Sequence, residues 1–244
     1  MTKELFRDDS YLKDCTTQVT EITESGGIVC AETVFYPQGG GQAGDQGTLH
    51  FADQEITINT TVKDKETGLL VHVPAEDSPL PNVGAEVTLS LDWAHRYPLM
   101  QMHTALHLLC AIIPHGVTGG QIGVAKSRLD FDISTSDQPL PDKASIQEAL
   151  ESFIAENHAI SLHWVDDALL QQKPEMVRTM SVKPPTNSSG LLRLVQIGAE
   201  DNPIDLQPCG GTHVASTAEI GTIRVGKIEN KGARNRRVNL HLET

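Results

Sequence analysis

Two short motifs contain the residues best suited to bind a metal ion. His103 and His107, in the segment HTALH, are separated by three residues, which places both imidazoles on one face of a helix. Cys209 and His213, in CGGTH, have the same spacing around two glycines, whose backbone freedom permits a tight turn. Three imidazoles and one thiolate are ligands that zinc accepts in tetrahedral sites. The two motifs together therefore predict a zinc site.

Other interpretations of these residues stay open. Histidines on an amphipathic helix are often ordinary core residues, and a site with four protein ligands can be purely structural. Cys110 shares the helical face of His103 and His107 and is a rival thiol ligand. We prefer Cys209 because glycines lie beside it. Thr104, not glutamate, follows His103, so neither the HExxH metalloprotease motif nor a deaminase signature is present.

A glycine-rich segment, FYPQGGGQAGDQG at 35–47, is a second candidate binding element. Gly39, Gly41 and Gly44 formally match the dinucleotide fingerprint G-x-G-x-x-G. We reject that interpretation because the fingerprint requires a following helix, whereas a turn and a strand are expected here. Consecutive glycines let a backbone approach another molecule closely. A shaped binding loop is therefore favoured over a flexible hairpin tip.

The chain is acidic overall, with a formal net charge of −13, which argues against general nucleic-acid binding. The segment from 224 to 237 is an exception, because Glu229 is its single acidic residue. This strip is either a solvated strand face or a surface that contacts phosphates. Its basic residues are Arg224, Lys227, Lys231, Arg234, Arg236 and Arg237.

Composition indicates a folded protein of the cytoplasm. At 244 residues and 39% hydrophobic content, the chain can bury one large core or two modest ones. No apolar run approaches the roughly 20 residues that span a membrane, and the first residues lack an apolar signal segment. The four cysteines then suggest thiols or a metal ligand rather than disulfides. We expect a cytoplasmic location, no membrane association and no obligate protein partner.

The elements that must position these motifs differ along the chain. Residues 15–90 contain short segments rich in Val, Thr and Ile, punctuated by Gly, Pro and Asp, which predicts a small β-barrel or sandwich. Pro98 fits the first turn of a helix that continues through the apolar run 99–113. A glycine-rich loop is expected at 116–123, and an amphipathic helix is expected to start near Ser145.

Helices and strands without regular alternation favour an α+β fold. We expect a small N-terminal β-barrel domain over residues 1–92, which carries the glycine-rich loop. An α/β two-layer domain containing the zinc site is expected over residues 93–244. In it, a polar loop, a strand at 191–197 and the CGGTH loop precede two closing strands.

These motifs resemble the editing domain of alanyl-tRNA synthetase and its freestanding relatives, the AlaX proteins. The pair HTALH and CGGTH carries the resemblance, and FYPQGGGQAGDQG is similar to the family's glycine-rich motif. LDWAHRYPLMQMHTALHLL, GGQIG followed by LDFDI, and IENKGARNRRVNL resemble further segments that occur in the same order. A β-rich part that carries the glycine-rich loop resembles the medium-length form of AlaX.

The resemblance implies trans-editing, the hydrolysis of the ester that joins a wrong amino acid, serine or glycine, to alanine tRNA. It implies zinc as cofactor and alanine tRNA as partner. A pocket built for alanine rejects serine by only about a hundredfold, so a second hydrolytic site is physically reasonable. We expect Thr104 or Gln121 to read the serine hydroxyl, and Lys231, Arg234, Arg236 and Arg237 to contact phosphates. The resemblance implies the ligands His103, His107, Cys209 and His213, and the pocket residues Gly39, Gly40, Gly41, Gln42 and Gln121.

Two other functions stay open on the same residues. A zinc-dependent hydrolase of small esters or amides would act without tRNA and would be insensitive to salt. A non-catalytic, zinc-stabilised module would hold tRNA without turnover and would unfold when zinc is removed.

Overall fold

The computed structural model describes residues 2–135, 137–166, 168–172, 176–178, 186–187 and 189–243. The chain forms two compact units, Met1–Tyr97 and Pro98–Thr244. In the described part of the chain, no helix is both long enough and apolar enough to cross a membrane. The polar loop expected before residue 191 falls largely outside the described residues.

The first unit contains a closed six-stranded barrel. Its strands place apolar residues inward, since successive side chains of a strand point to opposite faces. Ile28, Leu49 and Leu89 are fully buried in the barrel core. A mixed, strand-rich fold with a barrel is therefore confirmed. The strands are β1 (Lys3–Glu4), β2 (Asp14–Ile22), β3 (Ile28–Cys30), β4 (Glu32–Thr33), β5 (Gly47–Phe51), β6 (Gln54–Lys63), β7 (Leu70–Pro74) and β8 (Glu86–Leu91), and the barrel order is β2-β3-β7-β6-β5-β8.

The helix that carries His103 and His107 is α1 (Trp93–Ile112). We predicted its first turn at Pro98, and that prediction is wrong, because the helix begins at Trp93. The side chain of Asp92 accepts a hydrogen bond from the backbone N–H of His95 at 3.2 Å, which satisfies one of the free donors at a helix start. Pro98 consequently lies inside the helix, where it removes one backbone hydrogen bond.

The second unit contains two antiparallel sheets. The segment expected as a glycine-rich loop at 116–123 is largely a strand, because its backbone pairs with the next strand along the chain. A short strand directly before CGGTH was not predicted. The remaining elements are β9 (Gly116–Gln121), β10 (Lys126–Asp132), α2 (Lys143–Ala155), β11 (Ile160–Val165), α3 (Ala168–Gln172), β12 (Leu192–Gly198), β13 (Pro203–Pro208), β14 (Thr222–Asn230) and β15 (Asn235–Glu243).

The larger sheet, of order β14-β15-β10-β9, has one buried and one polar face. Val225 and Leu240 are fully buried on the inner face. The amide side chain of Gln147 on α2 joins this helix to β14: it donates to the carbonyl of Ile223 and accepts from the N–H of Val225, both at 2.7 Å. The smaller sheet, of order β11-β12-β13, leads directly into the CGGTH motif, since Cys209 follows the last residue of β13.

Candidate metal centre

All four residues predicted as metal ligands lie together in the second unit. Their ligand atoms are within 4.8 Å of one another. Cys209 Sγ lies 3.5 Å from His103 Nε2 and 3.4 Å from His213 Nε2. A thiolate and an imidazole bound to one tetrahedral zinc are separated by about 3.5 Å, given the usual bond lengths. The donor set and its spacing therefore fit a single metal ion.

His107 is held from behind by a carboxylate. Its Nδ1 lies 2.7 Å from Asp205 Oδ2, and both side chains are buried. Gln207 Nε2 in turn donates to Asp205 Oδ1 at 2.7 Å. The bond at Nδ1 leaves Nε2 as the ligand atom of His107. Such outer partners orient the histidines that bind metals.

His213 is held in a similar way by Thr104. The Thr104 hydroxyl donates to the carbonyl of Met100 at 2.9 Å and lies 3.2 Å from His213 Nδ1. It also accepts from the N–H of Val214 at 3.3 Å. A hydroxyl has one donor and two acceptor positions, so these contacts use all three. Thr104 is fully buried and fixes the ring of His213.

Burial and contacts within the cluster shift the pKa values of His107, Cys209 and His213. Burial opposes protonation of His107, but the hydrogen bonds to Asp205 and Cys209 outweigh it and raise its pKa to about 10. Burial likewise opposes ionisation of Cys209, yet the nearby imidazoles of His103 and His213 hold its pKa well below the ordinary value. Burial and the neighbouring His103 lower the pKa of His213. An acidic thiol among convergent imidazoles is the electrostatic environment that a cation requires.

Cys110, the rival thiol, lies outside the four-residue cluster. Burial raises its pKa to about 12, so it stays a neutral thiol. Asp205, by contrast, was missed by sequence reasoning because β13 was not predicted. A single acidic residue between two apolar ones, in the segment PIDLQP just before Cys209, was the available signal.

The glycine-rich segment is a shaped loop of the first unit. Gly39 and Gln42 exchange backbone hydrogen bonds of 3.1 and 2.9 Å across a two-residue turn. The intervening Gly40 and Gly41 have φ values of 56° and 85°, which glycine adopts without strain. The Tyr36 hydroxyl donates to the carbonyl of Gly39 at 2.8 Å. The turn is consequently fixed by the chain itself, and its part in substrate binding stays a prediction.

A buried ion pair supports this loop and was also missed. Arg96, on the first turn of α1, is fully buried and forms hydrogen bonds with both carboxylate oxygens of Asp45. Its guanidinium also donates to the carbonyls of Ser10 at 3.0 Å and Val34 at 2.7 Å. Asp45 further accepts from the N–H of Tyr36. The pair thus fixes both ends of the segment 35–47.

Gln121 lies at the end of β9 with an exposed side chain. Its Oε1 accepts a hydrogen bond of 3.3 Å from Arg128 Nε, across the strand pair. The residue is therefore on the polar face of the larger sheet, and its role stays a prediction.

The basic residues predicted to contact phosphates differ in the partners that they already have within the protein. Arg237 makes a two-bond ion pair with Asp130, at 2.7 and 2.8 Å. Lys231 pairs with Glu229 at 2.9 Å, and Arg236 donates to two backbone carbonyls of its own turn. Arg234 has no ion pair within the described ranges.

Comparison with known proteins covers both units. A sequence profile described as the threonyl and alanyl tRNA synthetase second additional domain matches residues 192–239, and one for class II (A) tRNA synthetases matches residues 6–95. The alanyl-tRNA editing protein AlaX-M of Methanosarcina mazei is 32% identical, covering 98% of this chain and 95% of the relative. AlaX-M of Saccharolobus solfataricus is 33% identical, covering 98% of each chain. The alanine–tRNA ligase of Pyrobaculum arsenaticum is 34% identical, covering 93% of this chain and 25% of the ligase.

The barrel, the His–Cys cluster and the two matched profiles define a protein related to domains of the aminoacyl-tRNA synthetases. The AlaX-M relatives match this chain over nearly the whole length of both proteins, which identifies a family within that class. The chain belongs to the AlaX-M family of alanyl-tRNA editing proteins.

Proposed function

We propose that this chain is a trans-editing deacylase that hydrolyses the ester between a wrong amino acid, serine or glycine, and alanine tRNA. The relatives named alanyl-tRNA editing proteins support the reaction class. The observation that carries the proposal is the cluster of His103, His107, Cys209 and His213, with its rear anchors already in place. We propose zinc as the metal, because one thiolate and three imidazoles are its preferred donors.

A zinc ion held there would supply Lewis acidity and a fixed point for orienting the ester or the tRNA terminus. The chain's own residues do the rest of the positioning. An aminoacyl ester is already reactive, so orientation of the ester and of one water molecule supplies most of the required acceleration. Asp205 and Thr104 keep two imidazoles in fixed orientations during this process.

Recognition of the serine hydroxyl requires a polar group with a free bonding position. All three hydrogen-bonding positions of Thr104 are occupied within the protein, which favours a supporting role for it. Gln121 has an exposed amide whose only described bond is to Arg128. We propose Gln121 as the residue of the second unit that reads the substrate. We also propose a substrate-binding role for Gly39, Gly40, Gly41 and Gln42 of the first unit.

We propose the domains 1–92 and 93–244, and charge supports a division of labour between the units Met1–Tyr97 and Pro98–Thr244, with which they nearly coincide. The first unit holds six basic and sixteen acidic residues, whereas the second holds thirteen basic and sixteen acidic ones. Phosphate contacts are therefore expected from the second. We propose that Arg234 contributes most to phosphate binding among the four residues Lys231, Arg234, Arg236 and Arg237. The other three already bond to acidic residues or backbone carbonyls.

One observation favours a different class of function. Four protein ligands complete a tetrahedral shell, as in structural zinc sites, whereas catalytic sites usually keep one position open. A zinc-stabilised module that binds tRNA without turnover is therefore the second candidate.

Deacylation of alanine tRNA mischarged with serine separates the two candidates. The same tRNA charged with alanine is the substrate control, and Cys209→Ala is the variant control. We expect fast release of serine, slow release of alanine and loss of serine release in the variant. Absence of serine release from a folded, zinc-loaded wild type would favour the binding module.

A further inference from the structure

A buried arginine lies directly beneath the CGGTH loop. Arg193 is on β12, the central strand of the smaller sheet, and is fully buried. Its Nη1 donates to the carbonyl of Cys209 at 2.7 Å and to the carbonyl of Gly211 at 3.0 Å. A charged side chain in a buried strand is costly unless its hydrogen bonds are made, so its placement requires an explanation.

The backbone of Arg193 contributes to the same arrangement. The N–H of Cys209 donates to the carbonyl of Arg193 at 3.2 Å, just beyond the pairing of Leu194 with Pro208. Arg193 therefore bonds to the backbone of Cys209 through both its own carbonyl and its own guanidinium. The N–H of Gly211 meanwhile lies 3.4 Å from Cys209 Sγ, which directs the thiol within the loop.

We propose that Arg193 is a positioning residue that pre-forms the metal-binding loop. Its guanidinium gathers two carbonyls of the loop and so fixes the backbone from which the Cys209 thiol projects. The loop then keeps its ligating conformation before any metal arrives, and metal binding does not have to order it. This inference rests on the metal site of the proposed function and not on the identity of the substrate.

Pre-formation has a measurable consequence for affinity. A metal that binds a disordered loop must offset the free energy of ordering it, whereas a pre-formed loop has no such cost. Residues that support ligands in this way typically change metal affinity about 10–100-fold when they are replaced. Arg193→Met keeps much of the side-chain volume and removes every donor. Arg193→Lys keeps a cationic donor.

Zinc affinity, measured by competition with a chelator, tests the proposal without tRNA. We expect Arg193→Met to bind zinc about 10–100-fold more weakly than wild type, with Arg193→Lys between them. Cobalt substitution supplies a second readout, since the visible absorption of the Co²⁺ protein reports ligand geometry; we expect the Met variant to shift it.

Arg178→Met is the matched control. Arg178 also donates to backbone carbonyls, those of Cys110, Ile113 and His115 at 2.8–3.1 Å, but none of these carbonyls belongs to the CGGTH loop. This variant should lose stability while keeping wild-type zinc affinity. A folded Arg193→Met protein with wild-type zinc affinity and an unchanged cobalt spectrum would overturn the proposal.

Hydrogen exchange of the metal-free wild type keeps the proposal testable if Arg193→Met does not fold. We expect the amide of Cys209 to be protected to a similar degree with and without zinc. Protection of this amide only in the presence of zinc would show that the metal orders the loop, and it would also overturn the proposal. Failure of the wild type to bind zinc at all would instead count against the metal assignment.

Discussion

His107 and Cys209 in the metal-binding cluster respond to burial in the opposite sense to His72 and Cys30 in the barrel. In the barrel, burial lowers the pKa of His72 to about 4 and raises the pKa of Cys30 to about 12. In the second unit the pKa of His107 rises to about 10 despite burial, because Asp205 and Cys209 bond to it, while that of Cys209 falls. Burial by itself disfavours the charged forms of these groups, whereas hydrogen bonds and charges within the cluster reverse that effect for His107 and Cys209.

The pattern of hydrogen bonds also distinguishes His107 and His213 from His72. Both ring nitrogens of His72 are used by the protein: Nε2 lies 2.8 Å from the Thr33 hydroxyl and Nδ1 lies 3.0 Å from the carbonyl of Ile28. His107 and His213 use only Nδ1 in this way, which leaves the other nitrogen for the cluster. One ring nitrogen bonded to the protein and the other directed into the cluster is the arrangement expected of ligand-binding histidines.

The largest expected effect distinguishes the two thiols. Cys209→Ala should lower zinc affinity by more than about 100-fold, because it removes a direct ligand rather than an outer partner. Cys30→Ala should leave zinc affinity unchanged and reduce only stability, since Cys30 is packed in the barrel core. Chelator competition on both folded variants provides the measurement. Equal zinc affinity in the two variants would remove the distinction.

The second largest effect is expected at the buried ion pair of Arg96 and Asp45. Arg96→Met should lower the free energy of unfolding by about 3–5 kcal/mol, because it leaves the Asp45 carboxylate buried without its cation. Urea denaturation measures this. The double variant Arg96→Met with Asp45→Leu should recover part of the loss, and a single variant as stable as wild type would contradict the prediction.

The low pKa of His72, a residue of the barrel, predicts that the stability of the protein depends on pH. Its pKa is about 4 in the folded protein against an ordinary value of 6.5. Above pH 6.5 the ring is neutral in both states, and as the pH falls towards 4 only the unfolded chain takes up the proton. Stability should therefore fall by up to about 3 kcal/mol over this window. Urea denaturation across it should show a flatter profile for His72→Gln than for wild type; parallel profiles would refute the assignment.

A smaller effect, on zinc affinity, is expected from Asp205, which bonds to the ligand His107. Asp205→Asn should weaken zinc binding by about tenfold, at the lower end of the usual range, because the amide oxygen can still accept from His107 but carries no charge. Asp64→Asn, an exposed turn residue of the barrel, is the control and should have no effect. An Asp205→Asn protein that binds zinc as tightly as wild type would show that the contact is incidental.

The smallest effect concerns the charge difference between the units. Arg234→Glu should raise KM for charged tRNA a few-fold and reduce the slope of its salt dependence by about one. The barrel variant Lys65→Glu changes net charge equally and should alter neither quantity. A response to Lys65→Glu as large as the response to Arg234→Glu would place phosphate contacts on the barrel as well.

Features that depend on neighbours within a few residues could be predicted from the sequence. His103 and His107 share a helical face because of the helical repeat, and Cys209 and His213 lie close in sequence around two glycines. The strands at 15–90 could be predicted from composition, and the turn at Gly40 and Gly41 from residues that tolerate positive φ. The start of α1 was misplaced because Asp92 is a stronger start signal than Pro98.

The residues that support those motifs from other elements could be identified only in the folded structure. Asp205 meets His107, Thr104 meets His213 and Arg193 meets Cys209 through the pairing of strands and the placement of α1, at sequence separations of 98, 109 and 16 residues. Arg237 looks like a free cation in the sequence, but strand register places it opposite Asp130. Side-chain partners across a sheet depend on register, and register is set by the packing of the whole unit rather than by any local pattern.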